Sequence, residues 1–186
     1  IVSDPKLTLG ALADALASRR NDSQNQTAQA RLLASRSASD AALQQQLDHD
    51  RAVRGETPMH ASVFMEELSK HVPKDVMIFD EALTVSPDVT RYMPPTLPDH
   101  FFQTRGGSLG VGIPGALGIK VAHPDKTVIG FTGDGGSMYT IQALWTAAHF
   151  KIGAKFVICN NQSYMLLKLN ILQYWKDQIG EPAHQF

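Results

Sequence analysis

The stretch TVIGFTGDGGSMYTIQALWTAAHFKIGAKFVICNNQSY, residues 127–164, decides the fold. It holds two apolar runs of β type, Thr127 to Thr132 and Ala154 to Cys159, on either side of a helical stretch from Ser137 to Phe150. A strand–helix–strand unit nearly always crosses over right-handed, which lays its two strands parallel in one sheet. As neighbours they sit about 4.8 Å apart. Their carboxyl ends then open onto one edge, where open α/β sheets bind ligands. Asp134 and Asn161, distant in sequence, both stand at such ends and are predicted to face each other.

Outward from this unit the alternation continues. Leu109 to Ala122 reads as a Gly-rich helix, and Phe101-Phe102 as a short strand. Val76 to Phe79 is a brief apolar run of the kind covered on both faces, followed by a loop with Thr84, Ser86 and Pro87. Thr57-Pro58 resembles an N-cap with Pro at the first helical position, opening a helix that runs to about His71. Tyr164 to Lys176 is a further helix, apolar around much of its circumference, which predicts burial on two sides. The fold class is therefore α/β, a parallel sheet with helices on both faces.

The N-terminal third is different. Leu7, Leu9, Leu12, Ala13 and Leu16 recur at helical spacing after Asp4-Pro5. From Asn21 to about Gly55 the chain is rich in Gln, Ser, Asn, Ala and Asp and has little to bury, with helix expected only over Asp40 to Arg54. The expected division is a helix over 1–20, a connection over 21–55 and a globular domain over 56–186.

The bulk numbers narrow the class. The chain has 186 residues, 43% of them hydrophobic, and a formal net charge of −1, enough for one ordinary core. Scattered Lys and Arg argue against a nucleic-acid surface. The apolar stretch Gly107 to Ile119 is too short and too broken by Gly and Pro114 to span a membrane. The lone Cys159 and the lack of a visible signal peptide suit a cytoplasmic protein. The chain starts Ile-Val-Ser and stops soon after an apolar segment, which reads as part of a longer polypeptide whose sheet is incomplete at the C-terminus.

The chemistry of the quoted stretch is specific. One carboxylate and one amide oxygen, with a nearby backbone carbonyl, form a hard oxygen set suited to Mg²⁺ or Ca²⁺. They fill about half an octahedron and leave room for phosphate oxygens and water. Gly135 and Gly136 let the backbone approach an anion, and a helix start near Ser137 would offer free N–H groups to it. Metal and phosphate are thus predicted in one place, as a diphosphate cofactor requires.

Gly133-Asp134-Gly135, then 24 residues, then Asn160-Asn161 resembles the thiamine-diphosphate fingerprint of the pyruvate oxidase, acetolactate synthase and benzoylformate decarboxylase superfamily. The wider run from Gly106-Gly107-Ser108-Leu109-Gly110 through Ile113-Pro114, Gly130 and Ala143 to Ala148 resembles the benzoylformate decarboxylases most closely. The resemblance covers about Glu56 to Phe186, and Asp4 to Arg20 resembles the last helix of that family's central domain. It implies the thiamine-diphosphate-binding fold, with thiamine diphosphate and Mg²⁺ as cofactors. Asp134, the Asn161 side chain and the Ser163 carbonyl would ligate the metal. Gly133, Gly135, Gly136, Tyr164 and Thr84 would lie along the diphosphate. Leu109 matches the apolar wedge that bends the cofactor, and the Gly107 carbonyl would accept from its amino group.

The implied activity is decarboxylation of a 2-oxo acid, or carboligation in the manner of acetolactate synthases, in a homo-oligomer (dimer or tetramer). The activating glutamate of that family lies on another domain, so no catalytic residue is expected within this chain and the chain alone is expected to be inactive. Some positions depart from the pattern. Gly136 stands where relatives commonly have Ser, Leu83 replaces a polar residue, and Met165, Leu166 and Leu167 are bulkier than their counterparts. The rival class is a non-catalytic phosphate-binding α/β module, though Gly-x-Gly-x-x-Gly after the first strand and a Walker lysine are both absent. A relic that kept the fold and lost its chemistry is a third reading.

Overall fold

The computed structural model describes residues 3–104 and 106–180. They fall into two compact units, 1–53 and 54–186. The first unit is helical: α1 (Pro5–Arg19) and α2 (Asp22–Ala52). Asp4 caps α1 by accepting from the Leu7 N–H at 2.9 Å, and Pro5 takes the first turn. Asn21 and Gln24 form a reciprocal capping box on α2. That cap, with the Ala-, Gln-, Arg- and Leu-rich composition behind it, explains why helix begins at Asp22 rather than near Asp40 as expected. High propensity sustains a helix that buries almost nothing.

The second unit runs α3 (Ala61–His71), β1 (Met77–Glu81), a 3₁₀ turn (Leu83–Val85), α4 (Ser86–Tyr92) and β2 (Phe101–Gln103). It continues with α5 (Gly112–Ala122), β3 (Val128–Gly133), α6 (Asp134–Ser137), α7 (Ala143–His149), β4 (Lys155–Cys159) and α8 (Met165–Tyr174), and closes in a π turn (Trp175–Ile179). All strand pairs are parallel, in the order β2-β1-β3-β4. The sequence order reverses beside β1, so the switch point opens between the tips of β1 and β3.

Side chains alternate across the sheet. Ile78, Ile129 and Phe131 pack with Met65 of α3 and Val89 of α4 on one face, joined by Val157 and Cys159. Met77, Val128, Phe79 and Phe156 meet Ala116 and Ile119 of α5 on the other. Both faces are covered by helix, as the continuous apolar runs predict. Among the described residues no helix is long and apolar enough to cross a membrane.

Four local expectations are corrected. Helix α3 starts at Ala61, not Pro58, because His60 caps it through Nδ1, which accepts from the Ser62 N–H at 3.3 Å. The expected loop after β1 coils into a 3₁₀ turn and α4, with Pro87 in the first turn of the helix. The Gly-rich helix begins at Gly112, leaving Leu109 in the loop before it, since positive φ at Gly106, Gly107 and Gly110 is incompatible with α-helix. The helix expected over Ser137 to Phe150 is split: Asp134 to Ser137 form one turn, and helix resumes at Ala143.

Candidate functional site

The register of β3 with β4 pairs Gly133 with Cys159, so Asp134 and Asn160-Asn161 leave the sheet together at its carboxyl edge. The predicted neighbouring of these two strand tips follows directly from that register. Asp134 is half-buried and opens α6. Among the described residues its carboxylate has no hydrogen-bond or ion-pair partner. Asn160 and Asn161 form successive side-chain turns, accepting from the N–H groups of Gln162 and Ser163, each at 3.0 Å. Gln162 takes a left-handed conformation, φ 52°, to permit this. The Asn161 side-chain oxygen keeps a second lone pair, since a carbonyl oxygen has two. The Ser163 hydroxyl is buried with no partner among the described residues.

Gly135 and Gly136 sit inside the turn of α6. A Cβ on Gly135 would lie 3.0 Å from Cε1 of Tyr164, so the β3 tip touches the first residue after the β4 turn. A Cβ on Gly136 would lie 3.1 Å from the Thr132 hydroxyl. Beyond Thr132, the same Cβ on Gly136 would lie 3.5 Å from a Glu81 oxygen, so both glycines are packed on their Cα side, and the Tyr164 ring against Gly135 is 68% exposed. Thr84 lies in the 3₁₀ turn after β1, which packs against α8.

The loop from Gly106 to Val111 supplies the other predicted residues. Gly107 is left-handed (φ 72°) and Leu109 is 40% exposed. Gly110 (φ 87°) is buried, and a Cβ there would meet Cβ of Tyr139 at 2.5 Å. The Thr140 hydroxyl donates to the Gly110 carbonyl. This loop is thereby tied to the segment that follows α6. Gly133, Asp134, Gly135, Gly136, Asn161, Ser163 and Tyr164 lie at or just beyond the neighbouring tips of β3 and β4; Gly107 and Leu109 lie in the β2–α5 loop, and Thr84 just beyond β1.

The sequence reading missed the acids of β1. It ended that strand at Phe79, whereas pairing continues to Asp80 opposite Phe131 and Glu81 opposite Thr132. Asp80 is fully buried; one carboxylate oxygen accepts from the Ala82 N–H at 2.9 Å and the other from Gln103 Nε2 at 3.1 Å. Glu81 is 1% exposed, and its two oxygens accept separately from the N–H groups of Gly110 and Gly112. The signal was two acids directly after an apolar run, where strand alternation places Asp80 on the α3–α4 face and Glu81 on the α5 face. Burial, with the charges of Asp80 and Asp88 adding to it, pushes the Cys159 thiol up to about 11.

The family described as thiamine pyrophosphate enzyme, C-terminal TPP binding domain, matches residues 84–183. Benzoylformate decarboxylase from Pseudomonas aeruginosa is 31% identical over 111 residues, covering 60% of this chain and 21% of that protein. The acetolactate synthase large subunit of Haemophilus influenzae is 39% identical over 88 residues, 47% of this chain and 14% of its own length. Among solved structures, the thiamine diphosphate-dependent 4-hydroxybenzoylformate decarboxylase of Rhodococcus jostii RHA1 superposes with a TM-score of 0.59 at 28% identity, covering 69% of this chain and 24% of that one. The chain spans about a fifth of the length of the first relatives it matches.

Proposed function

This chain belongs to the thiamine pyrophosphate enzymes through their C-terminal TPP binding domain, and on that premise we propose that it is the part of a 2-oxo acid decarboxylase that holds thiamine diphosphate through Mg²⁺. The observation that carries this reading is the Asp134 carboxylate at the tip of β3, partnerless among the described residues, beside the Asn161 turn at the tip of β4. An oxygen donor set of carboxylate, amide and the Ser163 carbonyl is what Mg²⁺ prefers. The buried Ser163 hydroxyl, without a partner among the described residues, and the absence of a Cβ at Gly135 and Gly136, which lets the backbone come close to an anion, support the fit to a metal-bound diphosphate.

In this reading Asp134, Asn161 and Ser163 hold the metal, and Gly133, Gly135, Gly136, Tyr164 and Thr84 line the diphosphate. Gly107 presents a carbonyl to the aminopyrimidine and Leu109 props it from the apolar side. When bound, thiamine diphosphate supplies an electron sink for the carbanion left when a 2-oxo acid loses CO₂. The chain's own residues contribute orientation and a metal-neutralised anchor. Residues 56–186 form the cofactor domain, 21–55 the connection to it and 1–20 the end of a preceding domain. The activating acid comes from elsewhere in the polypeptide, in a homo-oligomer. Helix α8 buries none of its residues within this chain, against the expected burial on two sides; Leu166, Leu167, Leu169, Ile171 and Leu172 lie exposed around it, and in this reading the assembly covers them.

Acetolactate-synthase-like carboligation is the second reading, motivated by relatives of that name at comparable identity. Product analysis of the full-length enzyme with benzoylformate and with pyruvate separates the two: benzaldehyde from the first marks a decarboxylase, acetolactate from the second a carboligase. Titration calorimetry tests the cofactor assignment itself. Asp134→Ala is expected to weaken Mg²⁺-dependent thiamine diphosphate binding by about a hundredfold or more, as loss of a charged metal ligand does. Unchanged affinity would overturn it.

A further inference from the structure

Glu81 is a buried acid without a cation. Among the described residues it makes no ion pair, and backbone N–H groups alone satisfy it. Burying a carboxylate costs heavily unless hydrogen bonds compensate, so a side chain present merely to fill space would be apolar. Its place explains why an acid is used. Gly112 lies so close that a Cβ there would fall 2.6 Å from a Glu81 oxygen and 3.0 Å from Cβ of Thr132. The loop before Gly112 holds three left-handed glycines, Gly106, Gly107 and Gly110, and belongs to no helix or strand. Left to itself such a segment is among the most mobile the chain can make.

Gly110 is gripped from two directions. Its N–H donates to Glu81 at the β1 tip, and its carbonyl accepts from the Thr140 hydroxyl beyond α6. Gly112 is held by the second Glu81 oxygen. Leu109 is adjacent to this grip and Gly107 lies three residues before it.

We propose that Glu81 is a positioning residue: its bidentate carboxylate, with Thr140 opposite, fixes the Gly107–Gly112 loop at the sheet's switch point, where that loop meets the heterocyclic half of the cofactor. This rests on the cofactor reading above. It assigns Glu81 no contact with the metal or the diphosphate. Glu81→Gln keeps the size but turns an NH₂ toward one of two N–H donors, so one grip is lost.

The test uses two probes on the full-length protein with Mg²⁺, thiamine diphosphate and inorganic pyrophosphate, together with amide hydrogen exchange over residues 107–112. Glu81→Gln is expected to weaken thiamine diphosphate by about tenfold or more, the scale of a charge-assisted hydrogen bond. It should leave pyrophosphate within about twofold and speed exchange in the loop. Unchanged exchange and affinity, or equal loss for both probes, would overturn the assignment. If Glu81→Gln does not fold, Thr140→Val carries the test: about threefold weaker thiamine diphosphate with faster loop exchange supports it, and wild-type behaviour in both overturns it. Asp134→Ala is run alongside. Retention of both probes by that variant would sink the cofactor reading, whereas its loss with normal Glu81→Gln binding would sink only the role of Glu81.

Discussion

At the tip of β3 the Asp134 carboxylate is half-buried and has no protein partner among the described residues, whereas at the tip of β1 those of Asp80 and Glu81 are fully buried and accept a hydrogen bond on each oxygen. Both tips lie on the carboxyl edge of one parallel sheet, joined by the register Glu81 to Thr132. The chemistry is shared and the use differs. A desolvated carboxylate persists only when hydrogen bonds compensate the lost water, and its oxygens are then engaged with the protein and shielded from a ligand. A carboxylate left partnerless beside water keeps its lone pairs for a cation. Position at a ligand edge therefore does not make an acid a ligand; its unfilled coordination does.

The largest expected contrast is in binding: on the proposed reading Asp134→Ala removes the metal's charged ligand, and Mg²⁺-dependent cofactor affinity is expected to fall with it. The next is in stability. Asp80→Ala orphans the Ala82 N–H and should lower unfolding free energy by about 1–3 kcal/mol, while Asp134→Ala should change it by less than about 0.5 kcal/mol. Denaturant melts of the two variants check this, and equal losses would erase the distinction. The smallest effect concerns Cys159, behind the β1 acids. With its thiol pushed up to about 11 from 9.0, the thiolate is scarce at neutral pH. Iodoacetamide should alkylate it about a hundredfold more slowly than a free cysteine, until unfolding exposes it. The sign for stability follows. Burial of the neutral thiol contributes fully below pH 9 and fades as pH climbs toward 11. Rapid labelling of the folded protein at pH 7 would contradict this.

What the sequence revealed and what it hid have physical causes. That the strand tips before Asp134 and Asn161 are neighbours was legible because right-handed crossover fixes where strand ends lie, and no side-chain detail is needed for that. Glu81 was not, because acids after an apolar run look like the start of a loop until register shows the strand continuing. The break between α6 and α7 was hidden for a related reason. Residues Met138 to Gln142 have a helical pattern, but the close contact of Tyr139 with Gly110 and the bond from Thr140 to that residue hold them in turns. Helix α2 lay at the opposite limit, where caps and propensity made helix out of residues with no core to join.

Manganese offers the most direct test, since it substitutes for Mg²⁺ in oxygen sites and scatters anomalously. In crystals of the full-length protein grown with Mn²⁺ and thiamine diphosphate, one anomalous peak is expected about 2.1 Å from oxygens of both Asp134 and Asn161. A peak bound by only one of them, or cofactor density at this edge with no metal between those residues, would contradict the shared ion at the tips of β3 and β4.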